Sequence, residues 1–228
     1  MSTSVVIGGT AGLGRFVAGR HAGRGDTVVI AGRDAAKAGE VAREMGPTVT
    51  GIAVDLARPH TIAESLRTVE RVDRLVITAA FQKPSTLTDF DIDEAVIAVT
   101  TKLVGYTEAI RVLRDRFGPS ASVVVFGGLA KERPYPGSTV ITTFNSAITG
   151  LIKTLALELA PHRINALHPA LVGDSPRWAG ADLGHMTART PIGRLITMDE
   201  VADAVDFLLD NGAMNAHDLF VDGGVLAQ

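Results

Sequence analysis

Eleven residues near the amino terminus, Val5-Val6-Ile7-Gly8-Gly9-Thr10-Ala11-Gly12-Leu13-Gly14-Arg15, constrain the chain most, because they run from a buried strand through a glycine turn into a helix. Residues 5–7 are β-branched and apolar, which suits a strand covered on both faces. Gly8, Gly12 and Gly14 let the backbone turn tightly and let an anion approach the first helix. The unpaired amides and positive end of that helix then favour a phosphate. Glycines at this spacing also occur in turns that hold no ligand, so the rest of the chain must decide.

The remainder alternates short apolar runs with longer helical patterns, which predicts a parallel sheet covered by helices on both faces. Strand-like runs fall at 5–7, 27–31, 49–54, 75–77, 122–126, 163–167 and 219–221, giving seven strands. Helical patterns fall at 13–22, 34–45, 61–69, 91–117, 142–160 and 198–210. Thr61 with Glu64, and Thr197 with Glu200, match the spacing of a capping box. No repeat or Pro/Ser-rich linker divides the chain, so residues 1–228 are expected to form a single domain. Two glycine- and proline-marked segments, 127–137 and about 170–191, are expected to be loops over the carboxyl edge of the sheet, the second covering a substrate.

Composition removes several function classes. The net charge of -3 gives no electrostatic case for nucleic acid or an anionic membrane as partner. No apolar stretch approaches the roughly 18 residues expected of a membrane span. Arg111, Arg114 and Arg116 gather late in a predicted helix, where cations suit the negative end of its dipole. The absence of cysteine excludes disulfides and thiolate chemistry and fits a reducing compartment. With a strand starting almost at Met1, no secretory leader is expected, and the cytoplasm is the expected location. The six histidines lack ligand spacing, so no metal site is expected. Nothing resembles a nucleophile elbow, so a hydrolytic Ser/His/Asp triad is not expected.

A second nucleotide signal follows the second strand. In a dinucleotide fold the residue about 20 positions past the glycine turn meets the adenosine ribose. Arg33 lies nineteen positions after Gly14, and a guanidinium suits a 2′-phosphate, which favours NADP over NAD. Asp34, beside it, tempers that preference and could instead cap the next helix. Asp55 is placed to accept from an adenine amino group or to close a surface turn.

The glycine turn, Arg33, Val54-Asp55-Leu56, Leu155-Ala156-Leu157-Glu158-Leu159, Arg163-Ile164-Asn165-Ala166 and Val221-Asp222-Gly223-Gly224 together resemble the classical short-chain dehydrogenase/reductase family over nearly the whole chain. The resemblance implies a Rossmann-like doubly wound sheet of seven parallel strands, a bound nicotinamide cofactor and a homodimer or homotetramer. It implies cofactor contacts at Gly8, Thr10, Ala11, Gly12, Leu13, Gly14, Arg33, Asp55, Leu56, Ala79 and Asn145. The departures are at the chemistry. The family's tyrosine falls on Ile141, its lysine on Asn145, its serine on Gly128 and its asparagine on Lys102. The segment after the fourth strand reads Ile77-Thr78-Ala79-Ala80 in place of two asparagines, an alanine and a glycine.

Carbonyl reduction needs a proton donor tuned near working pH beside the hydride path, and isoleucine cannot donate. Candidate substitutes are Lys102, Lys131, Arg133, Tyr135 and Asp174. Lys102 is either a charge beside the nicotinamide ribose or a solvated helix lysine. Tyr135 lies six residues early for the missing phenol, between Pro134 and Pro136. Asp174 either orients a polar substrate with Arg133 or caps a loop. His168 ends the sixth strand as a structural histidine or a crevice residue, and Trp178, Leu183 and Met186 suit an apolar lid. Three functions follow: an NADP-dependent oxidoreductase acting on a small organic substrate by a non-standard mechanism, a cofactor-templated cyclase, isomerase or dehydratase, or a catalytically inactive NADP(H)-binding protein.

Overall fold

The seven apolar runs become β1 (Thr3–Ile7), β2 (Thr27–Gly32), β3 (Val49–Ala53), β4 (Val72–Ile77), β5 (Phe117–Phe126), β6 (Arg163–Pro169) and β7 (Asp218–Val221) in a computed structural model. It describes residues 1–81 and 83–227. All pairings are parallel, and the order across the sheet is β3-β2-β1-β4-β5-β6-β7. The direction of winding therefore reverses between β1 and β4, where a doubly wound sheet opens a crevice at its carboxyl edge.

Eight α-helices are described: α1 (Gly12–Gly23), α2 (Ala35–Met45), α3 (Ile62–Ser65), α4 (Ile92–Val99), α5 (Tyr106–Leu113), α6 (Thr139–Glu158), α7 (Gly184–Thr187) and α8 (Met198–Asp210). The period of two along the strands divides their side chains between two cores. Val5, Ile7, Leu75, Ile77, Val123 and Val125 join Ile110, Leu113, Ile148 and Ile152 on the face covered by α5 and α6. Val6, Val76, Val124 and Phe126 join Val17, Val41, Val201, Val205 and Leu208 on the face covered by α1, α2 and α8. Each fully buried aliphatic side chain contributes about 1.5–3 kcal/mol.

Several elements differ from expectation. The helix expected over 61–69 stops at Ser65. Thr61 makes no cap there: its hydroxyl donates to Arg58 O at 2.9 Å, and Glu64 pairs with Arg67 at 2.7 Å. The second expected box does form, Thr197 accepting from Glu200 N at 3.3 Å while Glu200 accepts from Thr197 N at 2.9 Å. The expected helix over 91–117 is interrupted by a π-helical turn, Thr100–Gly105, and α5 ends at Leu113, with Phe117 already in β5. Helix α6 is long and apolar enough to cross a membrane by length and composition, contrary to the sequence expectation. Its Ile141, Phe144, Ile148, Ile152 and Leu155 face inward as the buried stripe of a core helix, which explains that composition.

Candidate active site at the sheet switch point

The glycine turn folds as its residues require. Gly8 has φ +96°, and its amide donates to Ala31 O at 2.8 Å, tying the turn to the end of β2. Gly14 packs against that turn so closely that a Cβ would lie 2.3 Å from Gly8 O. The amides of Thr78 and Ala79 both donate to Ile7 O, at 2.9 and 3.2 Å, so the segment after β4 closes on the same spot. Helix α1 begins after Ala11 with no side-chain cap and no acidic residue in its first turn. Among the described residues the amides of Gly12, Leu13 and Gly14 find no acceptor, which suits an anion at the positive end of the helix.

Thr10 lies over Gly32, where an added Cβ would be 2.7 Å from its hydroxyl. Arg33 follows, exposed and in no ion pair among the described residues. Asp34 caps α2, accepting from Lys37 N at 3.1 Å. Asp55 closes a turn, accepting from Ala57 N at 3.0 Å with Arg58 at 3.7 Å. Leu56 is buried, and its carbonyl would lie 2.3 Å from a Cβ on Gly105, so the π-turn presses directly on this loop.

Lys102 corrects the solvated reading. It is 1 % exposed on the π-turn, where its Nζ donates to Tyr106 Oη at 3.1 Å and lies 5.0 and 5.7 Å from the ring centres of Tyr106 and Phe144. No carboxylate pairs with it among the described residues. Burial pushes its pKa down to about 7 and raises that of the Tyr106 phenol. Tyr106 Oη in turn donates to Ala79 O at 2.8 Å. The sequence signal for this burial is periodicity: Ala98, Lys102, Tyr106, Ala109 and Leu113 form one buried stripe, and Lys102 occupies a core position in it.

On the other side of β4, Gly128 follows β5, and a Cβ there would be 3.0 Å from Asn145 Nδ2. Asn145 is 1 % exposed and its Oδ1 has no hydrogen-bond partner. Ile141 is packed with Ala98, Ala130 and Phe144, with Phe81, Leu103 and Val140 around them. The Gly128 amide donates to Nδ1 of His168 at 3.1 Å, which places the ring proton on Nε2, 2.6 Å from Asp218 Oδ1. Burial lowers the His168 pKa against the opposing pull of Asp218. Burial raises the Asp218 pKa, but the bonds from His168 and Thr149 and the charge of Lys131 hold it below its ordinary value. His168 is therefore a fully satisfied histidine, stacked on Phe220, that positions the start of the 127–137 loop. Lys131 belongs to the same cluster, donating to Thr149 at 2.6 Å.

The remaining candidates are dispersed. Arg133 donates to Val225 O at 2.8 Å, Asp174 accepts from Met198 N at 2.8 Å, and no bond joins the two among the described residues. Tyr135 is 50 % exposed, at the outside of its loop. Trp178, Leu183 and Met186 are partly buried along the 170–191 segment. One Ser/His/Asp chain does exist that spacing did not suggest: Ser4 Oγ lies 2.7 Å from His21 Nδ1, and His21 Nε2 lies 3.0 Å from Asp206. Ser4 and His21 are fully buried towards the amino edge of the sheet, so the chain braces α1 and α8 against β1.

The donor set at the switch point fits a dinucleotide. The uncapped amides suit a pyrophosphate, the close Gly8–Gly14 packing brings helix and turn together beneath it, and the orphaned Asn145 Oδ1 asks for a donor. The enoyl-(acyl carrier protein) reductase family model matches residues 8–226. A human 3-oxoacyl-[acyl-carrier-protein] reductase is 27 % identical over 230 residues, covering 96 % of each chain. A mouse L-xylulose reductase is 29 % identical over 245 residues, covering 98 % of this chain and 96 % of its own. The structure of a 3-ketoacyl-(acyl-carrier-protein) reductase from Brucella melitensis, complexed with NADH, superposes with a TM-score of 0.88 at 26 % identity, covering 99 % of this chain and 98 % of that one. With the glycine turn, the sheet order and a match along almost its whole length, the chain belongs to the short-chain dehydrogenase/reductase family of oxidoreductases.

Proposed function

We propose that this chain is an NADP(H)-dependent oxidoreductase of a small organic substrate that works without the family's tyrosine and lysine. The observation that carries the reading is the uncapped start of α1 under the glycine turn, with the exposed Arg33 at the end of β2. The amides of residues 12–14 would hold the pyrophosphate, and Arg33 would pair with a 2′-phosphate. When bound, the cofactor supplies a hydride donor or acceptor. Ile141 has no proton to give, whereas Lys102 Nζ holds one that exchanges near neutral pH.

A second reading is favoured by the apolar cluster of Ile141, Phe144 and Ala130, which occupies the place where the resemblance puts the proton donor. In that reading the chain binds NADP(H) without reducing a substrate, or uses the cofactor as a template for a cyclisation, dehydration or isomerisation. Exposed Ile92, Val96 and Val104 on α4 and the π-turn, with Leu157 on α6, support a homodimer or homotetramer. The lack of cysteine supports a cytoplasmic location.

The deciding measurement is a fluorescence titration of cofactor-free protein with NADPH and with NADH, which a related reductase carries. Micromolar binding of NADPH with at least tenfold weaker NADH supports the reading. Equal affinities remove the role of Arg33, and binding of neither removes the oxidoreductase. Catalysed NADPH oxidation across ketones, imines and enones then separates the enzyme from the inactive binder, and conversion without oxidation identifies the template.

A further inference from the structure

The ring of His168 cannot gain a proton without losing a bond that the fold uses. Nδ1 accepts from the Gly128 amide at 3.1 Å and Nε2 donates to Asp218 Oδ1 at 2.6 Å, so both nitrogens are committed while the ring is neutral. A second proton has one place to go, Nδ1, and there it sets a donor against the Gly128 N–H, another donor. The ring has little room to turn away. It stacks on Phe220 with centres 5.0 Å apart, and it lies so close to Gly127 that a Cβ there would be 2.2 Å from Nδ1. The Gly127 amide is itself tied to Leu167 O at 2.8 Å, so the residue that must yield is Gly128.

The same proton weakens a second mooring of this loop. Three donors converge on one oxygen, Asp218 Oδ1: His168 Nε2, Thr149 Oγ1 at 3.1 Å and Lys131 Nζ at 3.3 Å. Lys131 lies just beyond Gly128, on the 3₁₀ turn Leu129–Lys131, and its ammonium also reaches Thr149 Oγ1 at 2.6 Å, Glu132 at 3.6 Å and the face of Phe220 at 5.1 Å. The charges that act on the ring thus come from Asp218 on β7, from Lys131 with Glu132 behind it, and from Lys102 on the π-turn. Beside a neutral imidazole, Asp218 serves one cation, Lys131. Beside an imidazolium it must serve two, and Lys131 and the ring repel each other. Burial holds the ring pKa below its ordinary 6.5 against the pull of Asp218, and the charges of Lys131 and Lys102 add to the lowering.

We propose that His168 is an acid-released latch on the rim of the crevice: as the neutral ring it holds residues 128–131 at the carboxyl end of β5, and as the imidazolium it lets that turn go. The folded ring takes up its proton less readily than an unfolded histidine does. The latch is therefore whole at neutral pH and is lost as pH falls through the lowered pKa. Two ties limit the movement: Thr142 Oγ1 donates to Ala130 O at 3.0 Å, and Arg133 donates to Val225 O at 2.8 Å. The turn loosens without unravelling the rest of the loop. Gly128 faces Asn145, and Ala130 packs with Ile141 and Phe144, so the loosening uncovers the apolar cluster at the crevice. The device belongs to the fold and does not depend on which ligand the crevice takes.

The test follows the histidine rings and backbone amides of the whole, cofactor-free protein by NMR from about pH 7.5 to about pH 4.5, with amide exchange corrected for the intrinsic effect of pH. Circular dichroism reports whether the fold persists. In wild type the His168 ring is expected to titrate with a midpoint below 6.5, and exchange of the 128–132 amides to rise about tenfold through the same midpoint while circular dichroism stays constant. His168→Gln can accept from Gly128 and donate to Asp218 but cannot titrate, so its 128–132 amides should stay protected throughout. Lys131→Met removes a cation that faces the ring and should raise the midpoint by about half a pH unit, and it decides the matter if His168→Gln does not fold. The proposal is overturned by a ring that stays neutral throughout, by amides that stay protected while the ring titrates, or by an opening that persists in His168→Gln. A midpoint unmoved or lowered in Lys131→Met overturns it too, as does loss of circular dichroism together with the loop amides.

Discussion

Replacing Lys102 by methionine removes a charge from the core while keeping an unbranched side chain between the rings of Tyr106 and Phe144. An unfolded lysine titrates at 10.5, whereas burial brings this one down to about 7. Between those values the folded protein binds fewer protons at this site than the unfolded chain, so the group lowers stability most at low pH. The penalty fades as pH rises through that window. Linkage puts it at about 5 kcal/mol near pH 6, about 4 near pH 7.5 and about 1 near pH 9.5. Methionine loses the bond to Tyr106 and the ring contacts, which lowers the gain by about 1–2 kcal/mol at every pH. Urea denaturation of both cofactor-free proteins from pH 6 to 9.5 measures the difference. Lys102→Met is expected to be the more stable protein at pH 6, with its advantage shrinking by about 3 kcal/mol by pH 9.5. Parallel stability curves, separated by the same amount at every pH, would refute the reasoning, because they would mean that the amine keeps its proton in the fold.

Arg33→Asp should weaken NADPH by about 10–100-fold, through loss of a charge-assisted bond and gain of repulsion, while changing NADH by less than about threefold in the same titration. Gly14→Ala sets a methyl 2.3 Å from Gly8 O and 2.5 Å from Thr78 Oγ1, so it should cost about 2–4 kcal/mol in urea and abolish nucleotide binding. His168→Leu strands the Gly128 amide and takes one partner from Asp218, which keeps Thr149 and Lys131, and should cost about 1–3 kcal/mol by the same measurement. Thr197→Ala should cost about 1 kcal/mol, whereas Thr61→Ala, which removes no cap, should stay within about 0.5.

The sheet was legible because parallel strands covered on both faces leave continuous β-branched runs, as at Val5, Val6 and Ile7 or Val123, Val124 and Val125. The amino half of β5 was not, since Gly118, Pro119 and Ser120 break the apolar pattern and pairing with β4 shifts register there, between Val72 and Arg74. The π-turn has no residue code, because it differs from an α-turn only in which carbonyl each amide reaches. Thr61 and Glu64 have the spacing of a capping box but not its backbone: Thr61 sits in a helical conformation, while a capping residue such as Thr197 is extended. At the crevice, the glycine turn could be read from spacing alone. The charge of Lys102 argues for solvent while its place in the 98–113 stripe argues for the core, and the partners of His168 come from β7 and the 127–137 loop, beyond the reach of local pattern.

The 127–137 loop is moored at two points to the last part of the chain. Gly128 hangs from His168, which is gripped by Asp218 at the first residue of β7, and Arg133 is tethered to the carbonyl of Val225 just beyond that strand. An edge strand with a single neighbour, β6, thus fixes where the rim of the crevice sits. A fusion, an antibody or a subunit that pulls on β7 would be felt at Gly128 without touching it, whereas the opposite edge strand, β3, makes none of these contacts.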